Sequence, residues 1–408
     1  MSKVTKPVVL DETAKQVVAQ MQLQNEILTS LASGINYKPT SIKDVLNVVR
    51  AGQASKVFQV GDQIIVPWTD ITTGQKYDVP LDIVSFGTSA LQDGEELPSM
   101  TVQWHYATPF GVQFNQYQAF FYASEELAAG TYYIEIGTTW GNNCVSGKKY
   151  QFTLTKPVPA GGQLAGFRGA PDQAPSSWKV YSYNSKTAVD AIEIVAVTEG
   201  SSGTSLGVLR FGGDGKLNCL QRTAYGYNRW SQSAMRQWLN SDKGVGEWWT
   251  PQNDFDRCPD ELATKAGFLT GFDADFLEIL RPTKVVTALN TVTDSTSSNS
   301  VDPLETTYDK IYLPALEQMF IEPQLAGEGS AWDYWKRASN MTTKMKQYQT
   351  YPQIRTFAIE NHTSPQYVRL RSASRGNSCS TWYVYSSGYV DSYHAISAHR
   401  CAPACDFC

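Results

Sequence analysis

The sequence predicts an α+β fold rich in β-strands, with an N-terminal helix, a β-sandwich-like domain and a further C-terminal domain. Between residues 57 and 156, segments rich in β-branched and aromatic residues alternate with turn residues about every ten positions, the spacing of strands in a sandwich or barrel. The chain also contains 22 Tyr, 11 Trp and 30 Gly. This composition favours strands and turns.

Residues 8–32 have the pattern of a helix with one apolar seam. The seam residues recur at three- and four-residue spacing, as in a coiled coil, and they are Ala14, Val17, Met21, Gln24, Leu28 and Leu31. Because the seam is short and includes a polar Gln, the isolated helix would be only marginally stable. It either joins identical chains or anchors the protein to a larger particle, or it caps its own domain. The length of the seam does not decide between these alternatives.

Proline and glycine positions divide the rest of the chain. Gly34 and Pro39 end the first helix, and Ser41 begins a second, short helix that ends at Gly52. Further Pro and Gly residues gather at 158–175, which places a boundary near residue 165. We therefore predict an N-terminal helix for oligomerisation or anchoring at 1–35, a β-rich domain at 36–165 and a second domain at 166–408.

Charge and hydropathy exclude two classes of partner. The net charge of −5 argues against nucleic acid, because phosphate binding requires clustered Lys and Arg. The sequence has no run of eighteen apolar residues, so no membrane span is expected. The first residues lack the apolar core of a secretion signal, so we expect synthesis in the cytoplasm without a signal peptide.

Catalytic motifs are weak in this sequence. Residues 203–207 match G-x-S-x-G, but a nucleophile elbow needs a following helix, and here another strand and a glycine turn are predicted. The chain has four histidines, so candidate general bases are few. We predict no catalytic residues and no enzymatic activity.

The cysteines suggest no metal centre. Cys401, Cys405 and Cys408 are clustered, with Cys379 upstream. A structural zinc site typically combines two paired-ligand elements, and only one is present, although His399 would complete a set. Framework thiols are the favoured interpretation, and we predict no metal and no cofactor.

Residues 367–408 have an unusual composition. They contain no Lys, Glu, Gln or Met and are dense in Ser, Tyr, Cys, His, Asn and Asp. Tyr supplies rigid amphipathic contact area, while Ser, Gly and Asn supply adaptable hydrogen bonds, so this is the composition of a binding surface. The alternative is a Ser- and Tyr-rich terminal hairpin with accidental composition.

Codon randomisation would explain the missing residue types. Codons derived from AAC by exchange of adenines end in C, and such codons never encode Lys, Glu, Gln, Met or Trp. The motifs 370–372 (Leu-Arg-Ser), 386–388 (Ser-Ser-Gly) and 402–405 (Ala-Pro-Ala-Cys) flank and interrupt the segment. In these features the chain resembles the variable (target) proteins of phage and prophage diversity-generating retroelements, and the resemblance spans most of residues 36–408.

The resemblance implies a C-type-lectin-like domain, of the formylglycine-generating-enzyme type, over residues 166–408, with a variable segment at about 370–408. Its fixed residues would be buried, and they are Leu370, Trp382, Val384, Val390, Ala395, Ala398 and Pro403. Alternation along the strand would direct Trp382 and Val384 inward and Tyr383 and Tyr385 outward.

The predicted ligand-binding residues are all types that a randomised AAC codon can encode. They are Ser374, Gly376, Cys379, Thr381, Tyr383, Tyr385, Tyr389, Asp391, Ser392, Tyr393, His394, Ile396, Ser397 and His399. Aromatic residues dominate binding hot spots, so the tyrosines and His394 are the expected anchors. For each tyrosine taken alone, a half-buried strand position is an equal alternative.

The resemblance implies a non-enzymatic receptor-binding protein, part of a phage tail in the virion, that recognises a bacterial surface protein or glycan. Other tail proteins would be partners, and a homotrimer is compatible with the family and the N-terminal helix. One alternative is a bacterial carbohydrate-binding or adhesive protein at the cell surface. The other is an oxidase similar to formylglycine-generating enzymes. The tripeptides of calcium-dependent lectins are missing, so calcium-mediated sugar binding is not predicted.

Overall fold

The computed structural model gives the protein an α+β, β-rich fold, and this confirms the predicted fold class. Most described elements are strands, and the helices are short. The structure describes residues 17–18, 21–22, 24–25, 28–29, 38–115, 120–123, 125–137, 145–160, 163–166, 179–180, 192–193, 195–209, 216–217, 220–222, 228–250, 258–289, 304–339, 341–351, 357–375 and 380–408.

The first sheet is antiparallel and has the strand order β1-β2-β3-β19. Its strands are β1 (Gln63–Asp70), β2 (Gln75–Ala90), β3 (Glu96–Trp104) and β19 (Ala404–Phe407). The β1–β2 turn is tight because Asp70 accepts hydrogen bonds from the Thr72 amide and the Thr73 hydroxyl, and Gly74 adopts a positive φ of 73°.

Two four-stranded sheets lie between residues 120 and 222. One has the order β10-β6-β5-β11 and the other β12-β13-β4-β7. Their strands are β4 (Phe120–Ala123), β5 (Gly130–Ile136), β6 (Lys149–Leu154), β7 (Gln163–Gly166), β10 (Val195–Glu199), β11 (Thr204–Leu209), β12 (Lys216–Leu217) and β13 (Leu220–Arg222), and a separate pair is β8 (Lys179–Val180) with β9 (Ile192–Glu193).

The remaining strands form a two-stranded and a three-stranded antiparallel sheet. The first consists of β14 (Thr283–Ala288) and β15 (Leu304–Asp309), and the second of β16 (Val368–Ala373), β17 (Ser380–Val384) and β18 (Val390–His394). Strands β17 and β18 carry six of the fourteen predicted ligand-binding residues.

Two helices contact the first sheet: Ile42–Arg50 lies against β3 and Asp333–Ser339 against β2. The α-helices are α1 (Ile42–Arg50), α2 (Ala54–Val57), α3 (Ala234–Leu239), α4 (Asp260–Ala263), α5 (Ala274–Ile279) and α6 (Asp333–Ser339), and 3₁₀ turns occupy Trp230–Gln232 and Phe268–Gly271. The predicted second helix is confirmed as α1. Ser41 and Asp44 form its capping box, which satisfies backbone donors at its first turn.

Aromatic side chains from distant segments form the centre of the core. The Phe268 ring lies 5.2 Å from Trp68, 5.3 Å from Trp104 and 5.0 Å from Trp238, measured between ring centroids. Trp68 also donates its indole N–H to the Phe268 carbonyl, so the indole is buried without leaving its donor unpaired.

Asp406 ties the last strand to the rest of the molecule. Its carboxylate accepts hydrogen bonds from the Thr101 hydroxyl (2.7 Å), the Thr283 hydroxyl (2.8 Å) and the Tyr312 hydroxyl (3.0 Å). The main hydrophobic core likewise contains residues from 45–114 together with residues from 230–407. Sheet and core therefore cross the boundary that the sequence predicts near residue 165, because strand β19 pairs with β3.

The described positions of the predicted N-terminal helix are helical. Val17, Met21 and Leu28 of its seam are exposed, whereas Ala14 and Leu31 lie outside the described residues. Among the residues that the structure describes, no helix has both the length and the apolar character that crossing a bilayer requires.

Candidate functional site

The sheet β16-β17-β18 positions the candidate site. Strands β17 and β18 form a hairpin in which Tyr383 lies opposite Asp391 and Thr381 lies opposite Tyr393. The Ser-Ser-Gly motif is the turn of this hairpin: the Gly388 amide donates to the Tyr385 carbonyl, and Gly388 has a φ of 87°. Glycine fits this turn because other residues rarely adopt a positive φ.

Five tyrosines and one histidine converge beside this hairpin in what we call the aromatic face. Its members are Tyr367, Tyr383, Tyr385, Tyr389, Tyr393 and His399. Tyr383 lies at the centre, with ring centroids 4.8 Å from Tyr385, 5.0 Å from His399, 5.8 Å from Tyr393 and 6.1 Å from Tyr367. Tyr389 joins the face through Tyr385, at 6.0 Å.

The members of the aromatic face differ in exposure. Tyr367 and Tyr393 are 43% and 44% exposed, whereas Tyr383 is only 1% exposed. Tyr385 and Tyr389 are intermediate. Tyr367, Tyr393, Tyr385 and Tyr389 can therefore meet a partner directly, and Tyr383 supports them from below.

Four predicted ligand-binding residues are buried, contrary to the expectation that they would face solvent: Ser374, Thr381, Tyr383 and His399. Strand β17 is the central strand of its sheet, and both its faces are covered. The Trp382 side packs near Tyr348, and the Tyr383 side is covered by Tyr367 and His399.

The other predicted residues are distributed around the hairpin. Asp391, Ser392, His394, Ile396 and Ser397 are half-buried, and Gly376 and Cys379 lie outside the described residues.

Of the predicted buried frame, one residue is wrongly assigned: Ala398 is exposed, because it lies where the chain turns between β18 and the Val112–His399 bridge. Leu370, Trp382, Val384, Val390, Ala395 and Pro403 are buried as expected.

Arg369 is a buried cation beneath the aromatic face. Its guanidinium donates to the Thr381 hydroxyl and to the carbonyls of Tyr393, His394 and Ser397, at 2.8–3.0 Å. Burial lowers the pKa of Arg369 to about 9, so the group is still charged at neutral pH. These bonds fix the path of residues 393–397 across the hairpin.

His399 is buried between the rings of Tyr367, Tyr383 and Tyr393. Neither ring nitrogen has a hydrogen-bond partner among the described residues. Burial, with a smaller contribution from the Arg369 charge, lowers the pKa of His399 to about 3. The imidazole is therefore neutral at pH 7 and offers one donor and one acceptor.

This histidine should make the protein sensitive to acid. Below its ordinary pKa of 6.5 the unfolded chain binds a proton at His399, while the folded chain does so only near pH 3. Acid therefore favours unfolding. The free energy of unfolding at pH 4.5 should be about 2–3 kcal/mol lower than at pH 7. We expect His399→Phe to remove most of this loss in urea unfolding measured at pH 7 and pH 4.5.

A matched control is His362→Phe, since His362 is exposed and lies outside the aromatic face. It should retain the acid sensitivity of the unmodified chain. An equal pH dependence in His399→Phe and in the unmodified chain would contradict the prediction.

The sequence prediction missed Tyr367 and Arg369. Tyr367 is the first residue of the segment without Lys, Glu, Gln and Met, and this composition signal would have identified it. The role of Arg369 had no comparable signal, because its four acceptors lie 12 to 28 positions further along the chain.

The enzymatic and metal-binding motifs gain no further support. Ser205 of the G-x-S-x-G motif lies within strand β11. Cys401 and Cys405 are buried, and burial raises the pKa of Cys401 to about 12, so this thiol is unreactive. Within the described ranges, no group of three or more His, Cys, Asp or Glu side chains is arranged to hold a metal ion.

Residues 216–406 match the model of a domain of unknown function (DUF6273), a region that includes the whole aromatic face. No curated protein and no solved structure matches the chain.

Proposed function

We propose that this is a non-enzymatic ligand-binding protein with a hypervariable C-terminal surface, carried on a phage tail, that recognises a bacterial surface molecule. The observation that carries this proposal is the aromatic face. Tyr385, Tyr389 and Tyr393 are residue types expected from randomised AAC codons, and together with Tyr367 they form one partly exposed surface.

The frame beneath this surface supports the proposal. Trp382, Val384 and Val390 are buried on the hairpin, and Arg371 hydrogen-bonds through all its nitrogens to other segments. Exposed rings mounted on such a frame can be exchanged without disturbing it, since surface substitutions usually change stability by less than about 0.5 kcal/mol. Tyrosine is also a frequent hot-spot residue in binding surfaces.

A second candidate is a bacterial carbohydrate-binding or adhesive protein whose face is not diversified. It is favoured by the burial of Thr381, Tyr383 and His399, because buried positions do not tolerate free exchange. The flanking DNA separates the candidates. A nearby repeat of the coding sequence for residues 370–408 that differs at adenines supports the first, and its absence supports the second.

Binding itself is tested with the intact chain, fluorescently labelled, and cells of the bacterium from which the gene is taken. We expect Tyr393→Ser to reduce cell binding at least tenfold, because loss of an exposed aromatic anchor typically costs more than about 1–2 kcal/mol. The midpoint of thermal unfolding should change little. Flow cytometry and calorimetry measure the two quantities.

Tyr348→Ser is the matched control. Tyr348 is 54% exposed and packs against Trp382 on the opposite side of strand β17. It should bind cells as the unmodified chain does. Equal losses of cell binding in both variants, or no loss in Tyr393→Ser, would show that the aromatic face takes no part in the proposed function.

A further inference from the structure

His399 and Arg369 form a polar floor beneath the aromatic face. Both side chains are more than nine-tenths buried. The two ring nitrogens of His399 and the Nε of Arg369 have no hydrogen-bond partner among the described residues. Since buried polar atoms are nearly always paired, three unpaired atoms in one place point to a group from outside the chain.

The charge of the polar floor favours an anion. The acceptors of Arg369 are neutral oxygens, namely one hydroxyl and three carbonyls, and no carboxylate of the described residues forms an ion pair with it. Arg371, by contrast, has the carboxylates of Glu328, Asp309 and Asp406 in its surroundings. A buried charge without a counter-ion is costly, and a bound anion would offset this cost.

Two further titratable groups, His394 and Asp391, lie near the polar floor. His394 is half-buried, and burial and Arg369 lower its pKa, so it contributes no positive charge at neutral pH. Asp391 lies at the rim, opposite Tyr383 on the hairpin, where its carboxylate accepts a hydrogen bond from the Ser392 amide.

The two most exposed rings of the aromatic face cover the polar floor. The ring centroids of Tyr367 and Tyr393 lie 5.4 Å and 5.7 Å from that of His399. Exposed side chains change rotamer within nanoseconds, so rotation of either ring would admit a small group to the imidazole. The same rings offer apolar faces with a polar hydroxyl edge.

We propose that the polar floor binds the carboxylate of an acidic sugar whose ring lies between Tyr367 and Tyr393. His399 donates one N–H to the carboxylate, and Arg369 supplies the charge. A sugar suits the covering rings because its apolar C–H face is bordered by hydroxyls. This inference rests on the proposed ligand-binding function, and it specifies the ligand chemistry of the same face.

The test compares methyl glucuronide, which carries a carboxylate, with methyl glucoside, which carries a hydroxymethyl group at that position. The full chain is labelled with ¹⁵N-histidine, and the His399 signals are assigned by their loss in His399→Phe. We expect the glucuronide to shift the His399 ring signals and to bind at least tenfold more tightly than the glucoside. His399→Phe should lose this preference, whereas His362→Phe should keep it.

Stability measurements separate a binding role from a structural one. Because His399→Phe removes two unpaired buried nitrogens, its midpoint of thermal unfolding should equal or exceed that of the unmodified chain. Unfolding of this variant, equal affinity for the two sugars, or shifts confined to other histidines would each overturn the inference. Tighter binding of N-acetylglutamate amide than of the glucuronide would also overturn it, in favour of an acidic peptide.

The two proposals fail in different ways. If neither sugar binds while Tyr393→Ser still abolishes attachment to cells, the sugar inference is wrong and the proposed function stands. If the chain prefers the glucuronide to the glucoside while Tyr393→Ser leaves attachment to cells unaffected, the polar floor binds a carboxylate but the proposed function is wrong.

Discussion

A fragment comprising residues 166–408 is expected not to fold on its own. It contains strand β19 but not its partner β3, and it leaves Asp406 without the Thr101 hydroxyl. It also lacks Trp68 and Trp104, whose rings pack against Phe268. Loss of several fully buried aromatic side chains at about 3–5 kcal/mol each exceeds the stability of a typical domain.

Circular dichroism and limited proteolysis of the purified fragment measure this outcome. The matched control is residues 38–408, which omit the predicted N-terminal helix and retain the whole first sheet. This chain should unfold cooperatively on heating. A cooperative thermal transition in the 166–408 fragment would instead establish the boundary that the sequence predicts near residue 165.

Replacement of Arg371 by Met should have the largest effect of any single substitution considered for this chain. The guanidinium donates to the Thr287 hydroxyl, the Gln318 amide oxygen and three backbone carbonyls. Burial raises the pKa of Glu328, and the Arg371 charge opposes this rise. Arg371→Met therefore leaves several buried acceptors without their donor and removes the charge that offsets the buried Glu328 carboxyl, at a cost of about 3–5 kcal/mol or more.

Urea unfolding at pH 7 tests this expectation, with Arg281→Met as the control. Arg281 is partly exposed and pairs with Glu95 at 3.6 Å, so its loss should cost less than about 1 kcal/mol. Similar midpoints for the two variants would mean that the hydrogen bonds of Arg371 contribute little to stability.

Local patterns predicted the elements well. Ser41, which the sequence predicts as the start of a helix, caps helix α1. Alternation along β17 correctly placed Trp382 and Tyr383 on opposite sides, because side-chain direction in a strand depends on local geometry alone.

Such patterns could not predict that the Tyr383 side of β17 is also buried. This burial results from Tyr367 and His399, which cover Tyr383 from segments before and after the hairpin. Alternation predicts which side a residue faces but not whether another segment lies over that side. For the same reason, the sequence predicted that Tyr393 and Tyr383 would both face solvent, although Tyr393 is exposed and Tyr383 is buried.

The long-range pairing of β19 with β3 could not be predicted from the sequence either. Nothing local in the sequence indicates that strand β19 returns to β3. The core contains residues 45–114 together with residues 230–407, and the pairing of β19 with β3 is one of the contacts that join them.

The hydrogen bond between Thr101 and Asp406 joins residues 305 positions apart, and this separation constrains biosynthesis. Ribosomes add roughly 5–20 residues per second, so β3 is synthesised tens of seconds before its partner β19. During that interval its open edge is a template for pairing with other nascent chains. Overproduction at low temperature or with a chaperone that holds unfinished chains should therefore improve the yield of native protein.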